Sequence, residues 1–459
     1  MHVMEKIRPG ERIAGPETIQ LPAGYTIEPW VEKLNYPSAV SWDVDGNMLV
    51  AESHFPYGRS TAATESRILR YLSDGTVEAV ASADLEDLIT DITVYQGMLY
   101  VSHRGKISVL QDGHLRDLIT GLPSWGMHHN NAIVFDQAGR MYFGQGTVSN
   151  SGVVDTAALN ILESNSHLEA HDIPGADVIL AGKNYESTNP LTHETRTTGA
   201  FVPWGTVTSQ EQRIAGPGRG QAASGAIMRA NGDGTDLHVF AWGFRNPFGL
   251  AFGPDGMLYV TNNGANQLPP RPVANDPDTL WRVQEGHWYG WPDFFAGKPI
   301  TEPEFQPAGG PKQEFLLANH KDLLLGRDLP ASPLATFGHN VSADKFDFCL
   351  HPEFGFHQQA FVAEFGPMLA VLAGEPPDKP GGRKVVRVDM AQGAVSDFAV
   401  NRQGPPSQNG NQGGLERPVE AKFGPDGSLY VVDYGVMEWA DNRWEATAGT
   451  GIVWRITHS

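Results

Sequence analysis

The chain of 459 residues contains one cysteine, Cys349, so it holds no internal disulfide and no thiolate metal cluster. Set between Phe348 and Leu350, that cysteine reads as a small core residue. Positive charge is scarce as well: 33 Lys and Arg stand against 53 Asp and Glu, and the formal net charge of −20 opposes attraction to nucleic acid or anionic lipid. No apolar run is long enough for a membrane span, no heptad or charge block occurs, and helical periodicity is almost missing. Met1 to Gly15 carries Glu5, Glu11 and two arginines without an apolar stretch, so no export signal is visible. The expectation is a cytoplasmic protein as the chain stands, or a periplasmic or secreted one if its precursor is longer.

What is present is a repeat. A glycine turn followed by one short strand recurs as Gly46-Asn47-Met48-Leu49-Val50, Gly97-Met98-Leu99-Tyr100-Val101, Gly139-Arg140-Met141-Tyr142-Phe143, Gly256-Met257-Leu258-Tyr259-Val260 and Gly427-Ser428-Leu429-Tyr430-Val431, with a looser copy from Gly355 through Phe361-Val362-Ala363. Each regular copy follows another apolar strand across an Asp-x-x-Gly or Pro-Asp-Gly turn, which is a hairpin signature, and further strands follow most copies. Four strands per unit and six units predict an all-β, six-bladed β-propeller, one domain over residues 1–459. Insertions of about 148–224 and 266–311 are expected after blades three and four. The strand near Trp454 is expected to close the ring with Thr18-Ile19 or Tyr25 to Glu28, because a ring of blades must hide its edges.

Six residues after the regular glycines stand Glu52, His103, Gln145, Asn262 and Asp433, and Glu364 ends the looser copy. Side-chain alternation puts these positions at one depth, which predicts a polar ring at the axis. Such a ring either binds water in a channel or holds a divalent ion on Glu52, His103, Asn262, Glu364 and Asp433.

Two clusters precede innermost strands, Trp125-Gly126-Met127-His128-His129-Asn130-Asn131 and Trp242-Gly243-Phe244-Arg245-Asn246-Pro247-Phe248-Gly249. A neutral imidazole beside a fixed guanidinium suits removal of a hydroxyl proton while the positive charge steadies the oxygen. On an extended chain only one of His128 and His129 is expected to reach the axis, and Arg245 has Glu52 or Glu364 as alternative, structural partners. Trp204, Trp288, Tyr289, Trp291 and Phe294 in the insertions either stack on a ligand or pack the loops.

At these residues the chain resembles the glucose and sorbosone dehydrogenase family, most specifically over Gly243-Phe244-Arg245-Asn246-Pro247-Phe248-Gly249-Leu250-Ala251-Phe252-Gly253-Pro254-Asp255-Gly256. The resemblance implies a six-bladed propeller that oxidises an aldose or related polyol by hydride transfer to pyrroloquinoline quinone, with calcium. It implies His128 as the base, Arg245 as the electrostatic stabiliser, and Asn246, Arg417, His129 and His339 against the cofactor. Backbone carbonyls of Gly264 and Ala265 would bind the calcium. Three positions depart from the family pattern: Phe248 stands for a glutamine, Leu415 for a second arginine and Gly366 for a lysine. Two other readings stay open, a metal-dependent lactonase, other hydrolase or lyase with its ion on the polar ring, and a binding propeller without chemistry. The expected partner is a small sugar-derived molecule, not nucleic acid.

Overall fold

The computed structural model describes residues 12–459 except 56–57, 62–64, 82–83, 369–370, 372–373, 375–380, 405–412 and 442. Most of Met1–Gly15, read above for an export signal, lies outside the described residues. Six four-stranded antiparallel units form the blades. Their innermost strands are Pro37–Trp42, Ile89–Tyr95, Asn130–Phe135, Asn246–Phe252, Ala343–Phe348 and Pro418–Phe423, each touching the next, with the sixth returning to the first. The six-bladed propeller expected from the repeats is the fold observed. No helix among the described residues is long and apolar enough to cross a membrane.

The turn chemistry explains why the repeat is so regular. In four hairpins an aspartate before the glycine, Asp43, Asp136, Asp255 or Asp426, accepts main-chain N–H bonds from the turn, and Gly46, Gly139, Gly256 and Gly427 take φ of 73–81°. That left-handed region favours glycine because it has no Cβ. The repeated tyrosine serves the same turn: Tyr142, Tyr259 and Tyr430 donate to Asp136, Asp255 and Asp426. Each such bond adds about 1 kcal/mol to a strand pair whose other side chains are buried.

Ring closure follows one of the two expected routes. Tyr25–Leu34 pairs antiparallel with Gly451–His458 and becomes the outer strand of blade six. The earlier pair Ile19–Gln20 goes instead to Val400 and Asn401, adding a fifth strand to blade five. Trp454 is fully buried at the seam, in a core with Leu415, Phe361 and Val431, and Cys349 belongs to that core as expected.

Both insertions lie inside blades, not after them. Residues 148–224 separate the second strand of blade three, Arg140–Gln145, from its third, Ala226–Asn231. The second excursion is cut in two by Pro277–Val283, the third strand of blade four, and its longer part precedes the outer strand Ala335–His339. The blade was filled by strands distant in sequence, which spacing alone does not reveal. The two excursions are stapled to each other by Asn150 on Asn266 and Ser151 on Arg271, and the two parts of the second are joined by the buried Arg271–Asp293 pair at 3.0 Å, to which His320 adds a bond at 2.9 Å. Trp204, Trp288, Tyr289, Trp291 and Phe294 are all buried in this packing, and Trp288 stacks on Trp242.

Candidate active site

The polar ring expected on the axis is not there. The glycine-marked strands are the second in each blade, one strand spacing of roughly 4.8 Å outside the innermost strands. Their terminal polar residues fasten the chain that leads into the neighbouring strand. Glu52 accepts from the Asn35 amide and pairs with Arg67. His103 accepts from the Glu86 amide and binds Ser108, and burial pulls its pKa down to about 4. Gln145 donates to the Pro123 carbonyl. Asn262 accepts from the amides of Arg245 and Asn246, and Asp433 from those of Glu416 and Arg417 while pairing with Arg12. Glu364 is buried with Lys384 at 3.9 Å, and desolvation pushes it up to about 8. None of the six borders the central pocket, and among the described residues no group of three or more His, Cys, Asp or Glu is placed to hold a metal.

The pocket is built one strand further in. The second residues of the innermost strands, Ser38, Thr90, Asn131, Asp344 and Val419, line it from five blades, and Asn246 and Phe248 flank the corresponding Pro247 in blade four. An amide relay joins three blades: Asn131 donates to Asn246, Asn246 to Asn263, and Asn263 to the Ala343 carbonyl. Sequence reading missed Asn263, Asp278 and Asp344. Asp344 is the second residue of its inner strand, but Asn263 ends the second strand of blade four and Asp278 is the second residue of the third, so no single local pattern marks them.

His128 and Arg245 meet at this pocket. His128 is buried, and its Nδ1 lies 3.0 Å from the Thr147 carbonyl, which makes Nδ1 the protonated nitrogen and leaves Nε2 with its lone pair. Burial, and after it the charge of Arg245, holds its pKa well below the ordinary histidine range. The close approach requires Gly146: a Cβ there would lie 2.3 Å from the His128 Cβ and 2.7 Å from Asn246 Oδ1.

Arg245 is 2% exposed and donates through Nη1 to the Gly264 carbonyl at 2.9 Å, while its Nε and Nη2 have no partner among the described residues. It makes no ion pair with Glu52 or Glu364. Burial lowers it to about 10, opposed by Asp276 and Asp278, so it remains a cation at neutral pH. A buried cation with two unused donors is costly unless something binds them. Asp278 accepts from the amides of Gly264 and Ala343, and Asp276 from that of Ala265. Burial raises Asp278 to about 6 and Asp276 to about 7, and holds Asp344 well above the usual carboxylate range.

His129 also borders the pocket, with Nδ1 on the Ser124 carbonyl. The segment before Asn130 bends and is not a strand, so the alternation that was expected to turn one histidine away does not apply. His339 and Arg417 lie off the pocket wall. His339 bonds the Asp276 carbonyl. Arg417 donates to the carbonyls of Phe365 and Pro367 and sits under the rings of Phe365 and Trp444.

Below the pocket the axis is filled by charge. Lys345 donates to the carbonyls of Ser38 and Thr90 and to Asp91, at 2.8, 3.2 and 3.0 Å, with Glu420 at 3.4 Å. Asp91 and Glu420 in turn accept from the Ile133 and Val40 amides, so one ammonium ties together four blades and its partners reach a fifth.

Fold and pocket define a six-bladed β-propeller with a polar well at the start of its inner strands. Residues 217–315, the stretch that carries Arg245, Asn246, Asp276 and Asp278, match the family model Glucose / Sorbosone dehydrogenase, and over that stretch the resemblance read from the sequence is shown. No curated protein sequence matches the chain significantly. Solved structures share the fold. The holo form of the pyranose dehydrogenase PQQ domain from Coprinopsis cinerea superposes with a TM-score of 0.56 at 15% identity, covering 96% of this chain and 97% of that one. The soluble aldose sugar dehydrogenase of Escherichia coli in its apo form gives 0.53 at 14%, covering 95% and 100%. The PQQ-bound aldose sugar dehydrogenase of Streptomyces coelicolor gives 0.50 at 13%, covering 95% and 100%.

The cofactors implied by the resemblance meet this pocket unevenly. Arg245 offers unused donors to a carbonyl oxygen, and aromatic rings form one wall. For three carboxylates, however, Arg245 is the sole Arg or Lys among the described lining residues, against Asp278 and Asp344. The Gly264 carbonyl, an implied calcium ligand, already accepts from Arg245, and a second cation there would face the guanidinium. The residues present do not fit a tricarboxylate with calcium at Gly264.

Proposed function

We propose that the chain is an oxidoreductase acting on a hydroxyl of an aldose or a related sugar or polyol. His128 Nε2 takes the hydroxyl proton, Arg245 steadies the oxygen as its charge grows, and the adjacent carbon gives up a hydride to an acceptor in the same pocket. The observation that carries this reading is the meeting of His128 and Arg245 at one pocket, the imidazole with Nδ1 committed to Thr147 and the guanidinium with two donors unused. The family match across Arg245 supports it. The neutral Asn131, Asn246 and Asn263 supply hydrogen-bonding groups of the kind that recognise sugar hydroxyls.

Pyrroloquinoline quinone with calcium is the acceptor system implied by the resemblance, so it is one arm of the test. Purified protein is assayed for dye reduction with a panel of aldoses and polyols, without additive, with pyrroloquinoline quinone and calcium, and with an uncharged quinone. Sugar-dependent reduction is expected in at least one arm and is lost in His128→Ala. No reduction with any sugar under any acceptor condition sinks the reading. The hydrolase or lyase alternative rested on a ring at the axis, whose members stand at the ends of the second strands of their blades and do not border the pocket.

A further inference from the structure

Resting on that oxidoreductase reading, we propose that the acceptor seated beside Arg245 is a planar aromatic quinone carrying at most one carboxylate. Four features of the pocket lead to this. Its wall holds one fixed cation among the described residues, enough for one carboxylate or for the carbonyl of a neutral quinone. Asp278 and Asp344 share the same wall: ionised, they repel further carboxylates, and protonated, they return no charge to bind them.

The remaining wall is apolar and aromatic. Phe55, Tyr434 and Phe365 are contiguous, with ring centroids 6.4 and 5.8 Å apart, and Phe248 packs into the same cluster. Such a face accepts a flat ring system by offset stacking. Finally, the positions from which more cations could come are closed. Leu415 is buried in the core of the blade five and six seam. Gly366 has φ of 93°, and a Cβ there would stand 2.9 Å from Arg383 Cγ, so a lysine does not fit. Arg417 does not line the pocket: its Nη1 donates to the Phe365 and Pro367 carbonyls and its guanidinium packs against the Phe365 and Trp444 rings.

In turnover the sugar carbon loses a hydride and its hydroxyl a proton, forming C=O, while the quinone gains both and becomes the hydroquinone. Binding is testable apart from turnover. Equilibrium dialysis of the intact protein, with calcium present throughout, compares 9,10-phenanthrenequinone with pyrroloquinoline quinone by absorbance. The uncharged quinone is expected to bind at one per chain and at least tenfold more tightly than the tricarboxylate. Arg245→Gln should weaken the uncharged quinone tenfold or more. Phe248→Arg, which adds a cation to the wall, should tighten the tricarboxylate tenfold without helping the uncharged ring, and keeps the idea testable if the Arg245 variant does not fold. Equal or tighter binding of the tricarboxylate by the unmodified protein overturns the proposal, as does binding of neither. If the tricarboxylate wins and sugar-dependent reduction persists, this inference falls and the oxidoreductase reading stands. If the uncharged quinone binds but no sugar reduces it, the oxidoreductase reading falls instead.

Discussion

His128 and Arg245 are held by the two main-chain polar groups of one residue, Thr147. The Thr147 carbonyl accepts from the His128 amide at 3.1 Å and lies 3.0 Å from its ring Nδ1, and the Thr147 amide donates to the Arg245 carbonyl at 3.0 Å. Their spacing is therefore set by main chain. For the proposed chemistry, His128→Ala is expected to lower kcat/KM for the best sugar by about 10²–10⁴-fold, with a melting temperature close to that of the unmodified protein. Steady-state kinetics beside a thermal melt checks this, and a loss explained wholly by unfolding contradicts it.

The pH profile carries a sign. A base must be unprotonated, and burial together with the Arg245 charge depresses the His128 pKa, so the acid limb of kcat/KM should lie below pH 6.5 and the rate should be flat from there to pH 8. Removing one depressing charge in Arg245→Gln should move the limb upward while lowering the plateau. A limb that stays put would mean that the two groups do not interact.

Gly146→Ala tests the close approach that brings His128 against Asn246. A methyl at that position has to displace the imidazole or the amide. The expected outcome is at least a tenfold loss of kcat/KM and a destabilisation of about 1–3 kcal/mol by denaturant titration. Unchanged kinetics would show that the imidazole need not sit where it does.

Lys345→Met leaves Asp91 and Glu420 buried without their shared cation. Breaking such a pair by removing one partner costs about 3–5 kcal/mol, and this loss should appear in chemical denaturation. The triple variant Lys345→Met, Asp91→Asn, Glu420→Gln should recover part of it, because no uncompensated charge remains. A single variant as stable as the parent would deny the ammonium its role.

Asp276 and Asp278 link stability to pH. Both bind protons more readily in the folded chain than in the unfolded one, so the native state takes up protons as it forms between about pH 4 and 7. Their contribution to stability is accordingly greatest at the acid end of that window and falls as pH rises through their folded values. Asp276→Asn, which stays neutral, should flatten the fall between pH 5 and 8 in thermal melts. An equally steep fall in the variant would assign it to other groups.

The blades were legible because each hairpin states its own geometry. An aspartate that accepts turn amides, a glycine with positive φ and a tyrosine returning to that aspartate are all local, so they survive as sequence spacing. The seam was legible for a related reason, since the ring must find an edge strand for Gly451–His458. Position within a blade was not. The same local signal marks the second strand, and the polar residue ending it, Asn262 for example, serves amides one strand over and not the axis. Insertions misled for the opposite reason: Ala226–Asn231 completes blade three from 80 residues beyond Gln145, a pairing decided by tertiary packing. Of the site, His128, Arg245 and Asn246 were found by chemistry and resemblance together. Arg417 was carried by resemblance alone, and it does not line the pocket.

An ammonium seated where the six inner strands converge has a bearing on traffic. With Lys345 bridging Ser38, Thr90, Asp91 and Glu420, nothing the size of a sugar passes from one face of the disc to the other. On the proposed reading, sugar and acceptor would both enter the pocket from one face of the disc, and each product would leave by that same face.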